Sequence, residues 1–115
     1  MESDSGAGPL FGFSADRTTT EGYETLREIL KLLQSTGASE LRAPGGGGAD
    51  IGPLANQGVP VLGVWPDVSL YFDYHHSEED IIQKVNPDYL ADGTAALAVM
   101  AYILAEMELP LPRIK

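Results

Sequence analysis

His75 and His76 are the only histidines in the chain, and they stand among carboxylates: Asp73, Glu78, Glu79 and Asp80. Histidine with Asp and Glu is the donor set that hydrolytic zinc uses, since the ion takes imidazole nitrogen and carboxylate oxygen and acidifies a bound water. The same residues equally describe a solvated acidic loop that caps the following helix, and both readings stand on residue types alone. Along an extended backbone, neighbouring side chains leave on opposite sides, so His75 and His76 are not expected to reach one metal. The chain has no cysteine, which excludes a thiolate zinc site and a disulfide framework. Gly45 to Gly48, followed by Ala49 and Asp50, suggest a phosphate cradle. No Gly-Lys-Ser/Thr follows, however, and Asp50 would repel an anion, so the run reads as a mobile glycine loop. Ser69 and Ser77 with the two histidines could formally make a triad, but the Gly-x-Ser-x-Gly nucleophile elbow is missing.

The frame that must position these groups alternates strands with helices. Pro9 to Ala15 is a short aromatic-rich run bounded by Gly, Pro and Asp, the pattern of a strand. Thr18 and Glu21 have capping-box spacing, and Tyr23, Leu26, Ile29, Leu30 and Leu33 then recur at helical intervals. Gly37 is placed to end that helix in a left-handed conformation. Glu40 to Ala43 is a short extended piece. Val59 to Val64 is almost continuously apolar, as strands buried on both faces of a parallel sheet are. Asn86 and Pro87 read as an N-cap followed by proline at the first helical position. The helix they start carries Leu90, Leu97, Met100, Ile103, Leu104 and Met107, and Pro110 stops it. Between Ala95 and Ala105 it is apolar on almost every side, which calls for cover from other structure. The expectation is an α/β layer fold with a small, mostly parallel sheet of about three strands flanked by helices.

The bulk numbers bound the function. At 115 residues there is room for one domain, and 43% apolar with 21% charged residues is ordinary for a globular protein. A net charge of −10 with seven scattered basic residues argues against nucleic acid, whose phosphates need clustered Lys and Arg. Ala95 to Ala105 falls short of the ~20 residues of a membrane span, so no membrane partner is expected. Met1-Glu2-Ser3-Asp4 lacks the basic and apolar regions of a signal peptide.

Four segments taken in order carry a family resemblance: Met1-Glu2-Ser3-Asp4-Ser5-Gly6, Gly47-Gly48-Ala49-Asp50-Ile51, Gly58-Val59-Pro60-Val61 and Tyr74-His75-His76-Ser77-Glu78-Glu79-Asp80. Through essentially all 115 residues the chain resembles the C-terminal part of the two-zinc exopeptidases of the aminopeptidase Y and carboxypeptidase Q type. The resemblance implies that Asp4 is a ligand to one zinc and His76 a ligand to the other. The family places an Asp four residues after the ligand His; His76 and Asp80 keep that spacing, which favours His76 over His75. Asp80 would orient the ligand, with His75 and Asp50 as further neighbours of the metal pocket. Ile81 departs from the threonine often found there. The Asp50 segment departs too, reading Ala-Asp-Ile where the family usually has Ser-Asp-His.

The remaining ligands, in a His-x-Asp segment and a Glu-Glu pair that includes the general base, lie upstream in the family. Residues 1–115 therefore read as the C-terminal part of a zinc peptidase domain, Met1 corresponding to an internal methionine, with no catalytic residue of its own and weak or absent zinc binding alone. The implied substrate is the end of a short peptide, and the family is usually secreted or periplasmic. Competing readings are a non-catalytic binding or scaffold module, and a half-enzyme that self-associates or pairs with a separate N-terminal part.

Overall fold

The computed structural model describes residues 1–46 and 48–114. Part of the expected glycine loop, Gly47, therefore lies outside the described residues.

The core is built on a three-stranded sheet in the order β2-β1-β3, formed by β1 (Leu10–Asp16), β2 (Glu40–Arg42) and β3 (Val61–Pro66). Strand β1 is central because its run alternates Phe13 and Ala15 with the small Gly12 and Ser14. Phe13 and Ala15 are wholly buried against helices. On the other face, Gly12 lets Glu40 of β2 approach so closely that any Cβ would run into its carbonyl. The Ser14 hydroxyl donates to the Gly46 and Gly63 carbonyls at 3.0 and 3.3 Å. The expected α/β sheet of three strands is present, but its pairing is mixed rather than mostly parallel: β1 runs parallel to β2 and antiparallel to β3. The apolarity of β3 reports burial on both faces, which Val61, Leu62 and Val64 have; it does not encode the direction of the neighbouring strand.

Helix α1 (Thr20–Leu30) continues into a 3-10 segment, Lys31–Thr36, and ends at Gly37 with φ 76°, the expected left-handed C-cap. Its N-cap is Thr19, one residue later than the capping-box reading: the Thr19 hydroxyl accepts from the Gly22 N–H at 3.3 Å. Thr18 is spent elsewhere, its buried hydroxyl donating to the Pro112 carbonyl at 2.6 Å and tying the chain's end to the start of α1. Leu26, Ile29, Leu30 and Leu33 face the sheet and, with Phe13, Ala15, Leu62 and Val64, make one core.

Helix α4 (Pro87–Glu106) starts where expected. The Asn86 side chain accepts from the N–H groups of Asp88 and Tyr89, and Pro87 occupies the first turn. Its cover is not what its sequence calls for. Only Ala96 and Met100 are buried, while Leu90, Val99 and Tyr102 are exposed, Tyr102 at 66%. By length and composition alone α4 would suffice to cross a membrane, which the shorter stretch Ala95–Ala105 does not. Ala96 and Met100 nevertheless share the core with Phe13 and Leu30, which fastens the helix to the sheet domain. Two short helices, α2 (Gly52–Ala55) and α3 (Tyr71–Tyr74), and a 3-10 turn at Ile82–Lys84 complete the chain.

Candidate functional site

The first four residues reach the site along the free side of β3. The Glu2 N–H donates to the Leu62 carbonyl at 3.0 Å and the Glu2 carbonyl accepts from the Val64 N–H at 3.1 Å, a parallel bridge to Gly63. Two residues further on, Asp4 is exposed. Gly6, at φ 80°, turns the chain away, and the Tyr71 ring lies where a side chain at Gly6 would begin, 3.0 Å from an ideal Cβ. The Tyr71 hydroxyl donates weakly to the Asp4 carbonyl at 3.5 Å.

The histidines reach the same place from α3. His75 closes that helix, its N–H donating to the Tyr71 carbonyl at 2.9 Å. His76 then adopts φ 56°, a left-handed conformation rare for a residue with a Cβ and costing of order 1 kcal/mol or more. Because the backbone turns here instead of extending, the two imidazoles do not leave on opposite sides. They stack, ring centres 3.8 Å apart and planes 27° apart, and Tyr71 stacks on His75 at 4.5 Å. Ser77 locks the turn: its hydroxyl donates to the Tyr74 carbonyl at 2.8 Å and accepts from the Glu79 N–H at 3.2 Å, so it is a turn residue and no nucleophile. The Ser77 carbonyl accepts from the Asp80 N–H at 3.1 Å, fixing Asp80 in the same turn.

Asp4, His75, His76 and Asp80 line one cavity of about 420 Å³, together with Tyr71 and Lys84. Lys84 is paired with Glu79 at 3.2 Å. Asp50 is not in that lining. It is exposed in the turn before α2 and connects to the site through its backbone N–H, which donates to the Glu2 carboxylate at 3.3 Å. Burial, and then Asp16, raise the pKa of the Tyr23 phenol against the effect of Arg17; Tyr23 lies on α1 and does not line the cavity.

A carboxylate and an imidazole on one open cavity fit zinc in kind. They do not fit it in number: among the described residues no three His, Asp or Glu side chains come close enough to hold a metal ion. Two contributors escaped the sequence reading. Glu2 grips the backbone before α2, and Gly48 lies against both Glu2 and Asp4, an ideal Cβ there falling 2.6 and 2.5 Å from their carboxylate oxygens. Nothing in residue spacing announces either; they emerge only once Gly48 lies against the N-terminal segment.

No family model matches the chain. It is 32% identical to carboxypeptidase Q of Homo sapiens over 114 residues, 98% of this chain and 24% of that protein. To carboxypeptidase Q of Xenopus laevis it is 32% identical over 93 residues, 81% of this chain and 20% of that protein. The crystal structure of a peptidase M28 precursor from Shewanella amazonensis superimposes with a TM-score of 0.88 at 31% identity, covering 97% of this chain and 25% of that one. The chain thus spans about a quarter of the length of these relatives.

Proposed function

We propose, for a chain that belongs to the carboxypeptidase Q and M28 peptidase type, that it supplies one wall of a two-zinc centre that removes residues from the ends of short peptides. The observation that carries this reading is that Asp4 and His76, about seventy residues apart in sequence, line the same cavity.

In this reading the Asp4 carboxylate holds one cation and a His76 ring nitrogen the other. The stacked His75 and Tyr71 rings limit how far the His76 imidazole can swing, and Asp80, held by Ser77, lines the same cavity. Bound zinc would make a hydroxide near neutral pH and polarise the scissile carbonyl. The proton acceptor, and the other ligands that about three or four donors per zinc require, come from structure outside these residues. Alone, the chain is expected to hydrolyse nothing.

The exposed flank of α4 supports the same reading. Leu90, Val99 and Tyr102 leave apolar side chains in solvent that the rest of a peptidase domain would cover, whether joined in one chain or assembled in trans.

Fusing the chain behind the corresponding upstream part of the Shewanella relative and assaying dipeptide hydrolysis tests this. The fusion is expected to be active. Asp4→Asn and His76→Asn should each lose at least the ~10–100-fold typical of a lost outer partner of a metal. A folded fusion that is inactive, or whose activity ignores both substitutions, would sink the proposal.

A further inference from the structure

Two carboxylates, those of Glu2 and Asp4, crowd the place where a side chain at Gly48 would begin, and they are bonded differently. Both oxygens of Glu2 are engaged: Oε1 accepts from the Asp50 N–H at 3.3 Å and Oε2 from the Ile51 N–H at 3.2 Å. Among the described residues no donor meets the Asp4 carboxylate. Two successive backbone N–H groups thus meet one carboxylate, that of Glu2, which joins the N-terminal segment to the loop ahead of α2. Its backbone is fixed independently, by the pairing with Leu62 and Val64 on β3. Gly48 is thereby drawn against the segment, with Asp4 Oδ2 2.5 Å and Asp4 Cβ 3.1 Å from where its own Cβ would be. The absence of a side chain at Gly48 is needed for this close approach, not for an unusual backbone conformation.

We propose that Glu2 is the positioning residue for Asp4: it clamps the Gly48–Ile51 loop so that Gly48 forms a floor against which the Asp4 carboxylate is held at the cavity. The inference rests on the reading of Asp4 as a metal ligand for its purpose. Its geometry stands without that reading, and the two can be tested apart.

The first arm uses the 115-residue chain and nuclear magnetic resonance, with no metal. In Glu2→Ala the Asp50 and Ile51 amide resonances should move upfield and the contact between Gly48 Hα and Asp4 Hβ should disappear. The Val64 amide, bonded to the backbone of residue 2, should keep its exchange protection. Glu2→Gln, which retains one acceptor oxygen, should restore part of the contact. Gly48→Ala should displace Asp4 from the other side while leaving the Val64 amide protected. An Asp4–Gly48 contact that persists in Glu2→Ala would overturn the proposal. So would loss of Val64 protection in Glu2→Gln, because Glu2 would then serve only the strand.

The second arm measures zinc affinity of the fusion described above. Glu2→Ala is expected to weaken it ~10–100-fold in the wild-type background and not at all in Asp4→Asn, the coupling of a residue that acts through Asp4. Equal losses in both backgrounds would contradict the inference. A wild-type fusion that takes up no zinc would sink the peptidase reading, while the resonance data still decide the role of Glu2.

Discussion

The two flanks of this molecule are built from similarly apolar sequence and end in opposite states. Around β1, Phe13, Ala15 and Leu26 are completely buried, and α1, its 3-10 extension and β3 close on them. Along α4 and the aromatic turn before it, Tyr102 is 66% and Phe72 79% exposed; only Ala96 and Met100 of the long helix are buried, with Leu97, Ile103 and Leu104 packed half-buried against the core. Monomeric proteins rarely leave a large contiguous apolar surface in water. The difference teaches that one flank closes on its own apolar side chains, whereas the other leaves Leu90, Val99, Tyr102 and Phe72 in solvent. The cavity with Asp4 and His76 lies on that second flank, beside Tyr71 and Lys84.

Substitutions can break that contrast. The largest effect is expected in the packed flank: Phe13→Ala should cost about 3–5 kcal/mol and Leu26→Ala about 2–5 kcal/mol, read from urea unfolding at constant slope. Met100→Ala should fall in the same ~2–5 kcal/mol range if α4 is fastened by its one large buried side chain. A value under ~1 kcal/mol there would mean that the helix is not docked. Asn86→Ala, which removes the acceptor for the Asp88 and Tyr89 N–H groups, should cost about 1 kcal/mol. Tyr102→Ser should change the stability of this chain by no more than ~0.5 kcal/mol. In the fusion with the upstream part the same change should be clearly destabilising. If it is equally silent there, the exposed flank is not an interface.

Much of this contrast is legible in the residues, and the exceptions have physical causes. Asn86-Pro87 and Gly37 mark helix ends through local chemistry, so they appear where expected. The N-cap of α1 shifts from Thr18 to Thr19 because adjacent threonines offer the same hydroxyl, and a distant carbonyl at Pro112 takes the first. The antiparallel course of β3 is invisible locally, since an apolar run encodes burial and not direction. At the site, Asp4 and His76 are singled out by resemblance alone, and they line one cavity. The stacking of His75 on His76 was not foreseeable, because it depends on a positive φ at a residue that seldom adopts one. Glu2 and Gly48 were hidden for a different reason: their contacts span more than forty positions of chain.

The most direct test is the zinc content of the purified fusion, measured by elemental analysis for the parent, Asp4→Asn and His76→Asn. We expect about two ions per molecule in the parent and a loss of about one in each variant, with folding unchanged by circular dichroism. If both variants retain the parent's zinc, these two side chains do not belong to a shared metal pocket.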